Sequence, residues 1–176
     1  MTQKIKLNPD ICYLLGAHSC SKCSDNSSVE MSSKDESSLE RFIKIAIGLG
    51  IEPNKLLVSK SQRPTLYTVK FYNSKMRKFI DTSMERSEHI FRYANIYTAN
   101  YFAGMFDACG GADERGIYLY GPGKRNIMLI EKFGFHTSHT TKVRIRKAES
   151  FITFIRKHSL RMQNIVHLPG NERDLC

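Results

Sequence analysis

The residues best suited to chemistry in this 176-residue chain are cations and hydroxyls that recur at alternate positions near its C-terminal end. His136, Ser138, Thr140, Lys142, Arg144 and Arg146 hold the even positions, while the odd ones include Val143 and Ile145. Read as one strand within Phe135 to Lys147, this alternation gives a half-buried strand with one wholly polar, cationic face. Such a face neutralises phosphates, and its arginines can also make bidentate contacts to guanine in a major groove. A second strand, Gln62 to Tyr72, offers Arg63, Thr68, Lys70 and Tyr72. Arg115, Lys124 and Arg125 flank a third, Gly116 to Tyr120, and suit contacts to a nucleic-acid backbone. The net charge is +10, divided into +5 over residues 1–97 and +5 over residues 98–176. An even basic charge of this kind fits a surface that follows a polyanion.

The cysteines point elsewhere. Five of them (Cys12, Cys20, Cys23, Cys109, Cys176), an odd number without a secretory leader, argue against a disulfide framework. Cys20 and Cys23 form a C-x-x-C with His18 and Cys12 nearby, but no second pair lies at ligand spacing. No metal and no cofactor are therefore expected. Cys109 as a nucleophile with His136 or His139 is disfavoured, because a cysteine among small helical residues usually serves as a small hydrophobe. The composition, 41% hydrophobic and 25% charged, is that of a globular protein. No apolar run approaches the roughly 18–20 residues that span a bilayer. Met1 to Leu7 lacks the apolar core of a signal peptide, so an intracellular protein without a membrane partner is expected.

Two helices must position these groups. One contains Tyr101 to Gly111, with Thr98 as its expected cap and Gly110 and Gly111 as its stop. Its small residues Ala103, Gly104 and Ala108 invite a close partner. The partner lies between Asn8 and Lys22, where Asn8 caps and Pro9 takes the first helical position. A shift of 88 positions lays Tyr13 on Tyr101, Leu14 on Phe102 and Gly16 on Gly104. Further helices are expected at Leu39 to Gly50 (capped by Ser37 or Ser38), Lys75 to Thr82 (capped by Ser74) and Glu85 to Tyr93. Two more follow at Ile127 to Phe133 (capped by Asn126) and Ala148 to Leu160. Leu56 to Ser59 is a short strand, Asn95 to Thr98 links two halves, and Asn164 to Cys176 is a loose tail. Ser21 to Glu36, with six serines, reads as a flexible loop.

Phe102, Ala103, Gly104, Met105, Phe106, Asp107, Ala108, Cys109 and Gly110 resemble the nine-residue signature of the LAGLIDADG homing endonucleases. The first stretch is a worn copy: Leu14, Leu15 and Gly16 fit, whereas His18, Ser19, Cys20 and Ser21 do not. The resemblance implies an α+β fold of two pseudo-symmetric αββαββα repeats, residues 1–97 and 98–163, followed by a tail, 164–176. It also implies a concave antiparallel β saddle that lies on double-stranded DNA, with Lys22 near its centre and a short hairpin within Ser21 to Glu36.

In that family the eighth signature position is an acid that binds the divalent metal beside the scissile phosphate. Here the two eighth positions hold Ser21 and Cys109. Neither replaces a carboxylate for Mg²⁺, a hard ion that prefers charged oxygen ligands. The resemblance thus implies a monomeric, sequence-specific DNA binder, such as a regulator, that has lost cleavage. Two alternatives accompany it. One is a Mg²⁺-dependent endonuclease with displaced acids (Asp25, Asp107 or Asp113), with Asp107 better suited to a structural role. The other is a splicing-helper protein with an RNA partner.

Overall fold

A computed structural model describes residues 5–21, 27–61, 66–138 and 142–166, with side chains as far as 163. Its centre is the pair of helices α1 (Pro9–Ser19) and α5 (Ile96–Cys109). Both carry buried residues all round, from Ile11 to His18 in α1 and from Thr98 to Asp107 in α5. A helix apolar on every side belongs inside a protein, not on its surface. They meet at their glycines. A Cβ on Gly16 would lie 1.9 Å from the Tyr101 carbonyl oxygen, and one on Gly104 would lie 2.0 Å from that of Tyr13. The two contacts are reciprocal and related by the shift of 88 read in the sequence.

Around this pair, the N-terminal part adds β1 (Ser28–Ser33), α2 (Glu36–Gly48), β2 (Leu56–Ser61), β3 (Leu66–Tyr72), α3 (Ser74–Glu85) and the one-turn α4 (Ser87–Ile90). Its three strands form an antiparallel sheet in the order β1-β3-β2. The C-terminal part adds β4 (Gly110–Asp113), β5 (Gly116–Leu119), α6 (Lys124–Lys132), β6 (Thr137–Ser138), β7 (Val143–Ile145), α7 (Ala148–Ile155) and α8 (Leu160–Val166). Its four strands form a second antiparallel sheet, β4-β5-β7-β6. Each sheet buries one face: Val29, Met31, Val69 and Phe71 in the first, and Ile117, Leu119, Val143 and Ile145 in the second. Phe102 of α5 anchors the second core, touching the rings of Phe133, Phe135, Phe151 and Phe154.

Several boundaries differ from the sequence reading, each for a local reason. Caps fall earlier on the chain, on residues with a carboxamide or carboxylate oxygen. Asp35 accepts from the Ser38 amide (3.0 Å) in place of Ser37 or Ser38, and Asn73 accepts from Met76 (3.0 Å) in place of Ser74. Asn95 accepts from Tyr97 and Thr98 (3.0 and 3.1 Å), so the supposed link is the first turn of α5. Asn and Asp are among the strongest N-caps. Asn126 is no cap; it is buried within α6, which follows Gly123.

The serine-rich stretch holds a six-residue strand, β1, paired with β3 rather than folded into its own hairpin; residues 22–26 lie outside the described residues. Two of its serines find partners across the fold. Ser33 donates to the Asp107 carbonyl (2.9 Å), and Ser32 shares a hydrogen bond with Thr68 (2.7 Å). The expected helix to Leu160 breaks into α7 and α8, and α8 takes in residues 164–166 of the supposed tail. Residues 167–176 lie outside the described residues.

The crossing makes a sharp prediction. Gly16→Ala or Gly104→Ala drives a methyl into a backbone carbonyl and should cost about 3 kcal/mol or more, the upper range for overpacking. Gly48, with nothing within 4 Å of its Cβ position, is the matched control. Gly48→Ala should be neutral or stabilise by up to about 1 kcal/mol. Urea denaturation of the three variants separates close approach from helix propensity.

Candidate nucleic-acid interface

α1 and α5 end side by side, and a groove of 670 Å³ opens above their ends. Cys20, Ser21, Ala108, Cys109 and Gly110 line it, together with Glu30, Ser32 and Leu66 from the first sheet and Tyr118 from the second. The outward faces of both sheets therefore flank one depression. On the first sheet, Thr68 and Lys70 of β3 sit between Ser32 and Glu30 of β1 and Ser59 and Leu57 of β2. Tyr72, 47% exposed, ends that face, with the Lys70 ammonium 5.5 Å from its ring centre. Arg63 and Lys22 lie outside the described residues.

On the second sheet the expected single strand is a hairpin, β6 and β7, with residues 139–141 between them, so Thr140 lies outside the described residues. Its face assignment survives for a geometric reason. Ser138 pairs with Arg144, Thr137 pairs with Ile145, and the Arg146 amide donates to the His136 carbonyl (2.9 Å). Directly opposed residues share a face. Partners here are both even or both odd, so Ser138 and Arg144 remain on one side, while His136 (φ 24°) and Arg146 lie just beyond the strand ends. Arg144 also lies opposite Tyr118 of β5. Tyr118 and Tyr120 meet edge to face at 5.2 Å, and the Lys142 ammonium stands 4.1 Å from the centre of the Tyr118 ring. These two tyrosines escaped the sequence reading; their signal was the Tyr-x-Tyr alternation at the end of β5.

Arg115 sits in the β4–β5 turn, where its amide donates to Asp113 (3.0 Å). Lys124 is exposed in the first turn of α6. Arg125 is not brought to the sheet face; its guanidinium reaches the Met84 carbonyl at the end of α3 (3.4 Å). Of the three alternative acids, the two that are described are engaged. Asp107 is fully buried, and its carboxylate accepts from the Tyr13 hydroxyl (2.8 Å), the Ser159 hydroxyl and the amides of Leu160 (3.1 Å) and Arg161 (3.2 Å). It thereby caps α8 and ties it to both central helices. Asp113 pairs with Arg144 and Lys142, and the Arg144 hydrogen bonds hold its carboxyl well below the usual carboxylate range. Asp25 lies outside the described residues. Glu30, missed in the sequence, is the carboxylate that lines the groove beside Ser21.

His18, Cys12, Cys20 and Cys109 are described, whereas Cys23 and Cys176 lie outside the described residues. His18 Nδ1 lies 3.1 Å from the Glu30 amide and 3.2 Å from the Glu30 carbonyl, and burial lowers the His18 pKa against the pull of that backbone contact. Cys12 is buried, which pushes its thiol up to about 12. Against expectation, Cys20 and Cys109 form a disulfide, their Cα atoms 6.0 Å apart where the two helices end together. That separation is ordinary for a disulfide. Residues 89 apart are brought together by the crossing, which counting cysteines could not reveal. Among the described residues no group of three His, Cys, Asp or Glu is placed to hold a metal ion, and no helix is long and apolar enough to cross a membrane.

Comparison of the whole shape with solved structures decides the architecture. The homing endonuclease I-DmoI, solved in complex with DNA and Ca, matches with a TM-score of 0.61 at 14% identity, covering 90% of this chain and 97% of that one. The N-terminal LAGLIDADG domain of WhiA matches with a TM-score of 0.59 at 13% identity, covering 84% of this chain and 82% of that one. Full-length WhiA from Thermotoga maritima gives 0.62 at 13% identity, covering 90% of this chain and 58% of that one.

The chain has the LAGLIDADG fold. No family profile and no curated protein sequence matches it, so shape carries the likeness. Aligned on the signature that the sequence resembles, α1 and α5 carry its two copies, with Ser21 and Cys109 at the eighth positions. The Ser21 hydroxyl donates to the Glu30 carbonyl (2.9 Å), and the Cys109 sulfur is bound to Cys20.

Two outcomes follow from this chemistry. Burial raises the Asp107 pKa from 3.8 to about 6, against the pull of its hydrogen bonds. The folded state then holds a proton that the unfolded state has released. The Asp107 contribution to stability is therefore greatest below the ordinary carboxylate value and falls as pH rises through about 6. Asp107→Asn should flatten that part of the stability–pH curve and, by misplacing an amide among four donors, lower stability at pH 5 by about 1–3 kcal/mol. Reduction of Cys20–Cys109 should cost about 2–4 kcal/mol, with Cys20→Ser showing the same loss and no response to dithiothreitol. Urea curves with and without reductant check it.

Proposed function

We propose that this chain binds double-stranded DNA in the groove between its two sheets, sequence-specifically, and leaves it uncut. The observation that carries the reading is the pair of eighth signature positions on the groove floor. One holds a hydroxyl donating to a backbone carbonyl, the other a disulfide sulfur. A Mg²⁺ ion beside a phosphate is held by one or two carboxylates together with the phosphate oxygens. Neither position supplies a carboxylate.

Support for a DNA partner comes from the groove's surroundings. Lys70 and Arg144 belong to outward sheet faces, and with Lys142 they stand against tyrosine rings, while the whole chain carries +10. The I-DmoI structure that shares this fold holds DNA. A protein that occupies a site without cutting it can act as a regulator of what lies beside that site. The two different half-surfaces suit an asymmetric target read by one copy of the chain.

A second reading, cleavage by displaced acids, has one specific observation in its favour: Glu30 lines the groove next to Ser21. Asp107, buried and committed to α8, is unsuited to that role.

Selection of bound duplexes from fragmented genomic DNA, followed by incubation of the recovered site with Mg²⁺, tests the proposal. The expected outcome is a discrete site that stays intact. Its affinity should fall about 10³–10⁵-fold between 50 and 200 mM salt if six to ten phosphates are neutralised. A cut site, with the cut lost in Glu30→Gln, would overturn the inactive reading. Tighter binding of structured RNA than of any duplex would overturn the DNA reading.

A further inference from the structure

We infer that Asp113 sets the specificity of the interface by claiming one end of the Arg144 guanidinium. This rests on the DNA-binding reading above. Asp113 ends β4, and the Arg115 amide fixes its Oδ1 from within the turn (3.0 Å). Arg144 Nη1 donates to Oδ1 (2.7 Å) and Nη2 to Oδ2 (2.9 Å), while the Lys142 ammonium donates to Oδ2 (3.2 Å). The three side chains are 30%, 22% and 28% exposed, so the cluster lies at the surface yet is closely held.

The guanidinium has five N–H donors in a rigid plane. Its terminal Nη1/Nη2 end fits a carboxylate and a phosphate equally well. In this protein Asp113 occupies that end. A backbone phosphate must displace the carboxylate before it can use the same donors, and it then lies near a carboxylate of its own sign. The Nε edge is not the one Asp113 uses. A bidentate contact to guanine O6 and N7 through that edge is compatible with Asp113 staying in place. Phosphate contact is thus penalised, and base contact is not.

A platform beneath keeps the cations where they are needed. The Arg144 guanidinium lies 5.7 Å and the Lys142 ammonium 4.1 Å from the Tyr118 ring centre. The ring itself lies over Gly111, where a Cβ would come within 2.6 Å of it. The aromatic face attracts both cations whether or not the carboxylate is present. Asp113 therefore acts as a positioning residue for Arg144 and as a competitor of phosphate.

The test uses the full chain, the duplex recovered by selection and a scrambled duplex of equal length, with anisotropy titrations from 50 to 300 mM salt. Asp113→Asn keeps the shape and the turn hydrogen bond but removes the charge. It should tighten binding to the scrambled duplex about 10-fold near 0.1 M salt and steepen its salt slope by about 0.9 for each phosphate gained. Affinity for the selected duplex should change less than about 3-fold, so the specificity ratio falls. Arg144→Lys, which keeps the charge but loses the planar edge, should weaken discrimination at one guanine with the salt slope unchanged. Equal shifts for both duplexes, or an unchanged slope in Asp113→Asn, would overturn the inference while leaving DNA binding intact. Failure of the unmodified protein to retain any duplex would instead overturn the reading on which it rests.

Discussion

Everything in this molecule depends on the approach of two helix backbones at Gly16 and Gly104. Each glycine leaves room for the carbonyl of a tyrosine on the other helix, and nothing larger than hydrogen fits there. Such a contact has one register, because sliding either helix by a residue would place a side chain against a carbonyl. The crossing therefore fixes where both helices end. From those ends the chain leads into the two sheets, through β1 on one side and β4 directly from Gly110 on the other. The groove between the sheets is a consequence of the crossing.

Burying two helices on every side creates a polar problem that the fold meets at their rims. The Tyr13 hydroxyl donates to Asp107, and the Tyr101 hydroxyl donates to Asn126 (2.6 Å), whose amide in turn donates to Ser19 (3.0 Å). Arg41 lies 3.9 Å from the Tyr13 ring centre and donates to Asn100 (3.0 Å) and to the His158 carbonyl. Buried hydrogen-bonding groups are costly when unpaired and specifying when paired. These ties join α2, α6 and the start of α8 to the central pair, so both parts of the chain share one scaffold. Asp107 gives a signature acid a structural role: its carboxylate accepts from the first residues of α8 and from Tyr13.

The groove floor presents the Ser21 hydroxyl and the Cys20–Cys109 disulfide at the ends of the two helices. A hydroxyl and a disulfide stand where the family signature places acids, while the flanking sheet faces keep their cations and tyrosines. The first elements are needed to activate water, the second to hold a polyanion, and these demands fall on different residues. On the proposed reading, loss of one leaves the other physically intact. On the inference drawn above, the Asp113–Arg144 pair adds a layer within the cationic face, because a carboxylate among cations that meet DNA separates affinity for backbone from affinity for bases.

The sequence alone determined the two central helices, their shared shift of 88, their glycine contacts and the polar side of the C-terminal hairpin. These features are periodic or local, and periodicity survives translation into three dimensions. The hairpin illustrates the point: β6 and β7 were read as one strand, yet even-to-even pairing preserved the face. Tertiary structure decided what depends on residues distant in sequence. It moved helix caps to Asp35, Asn73 and Asn95, took Asn126 into the interior and ended α7 where Arg41 and Asp107 hold the chain between α7 and α8. It joined Cys20 to Cys109, set Glu30 beside Ser21 and turned Asp113 onto Arg144. Each of these pairings depends on distance and orientation in space, and a linear order of residue types contains neither.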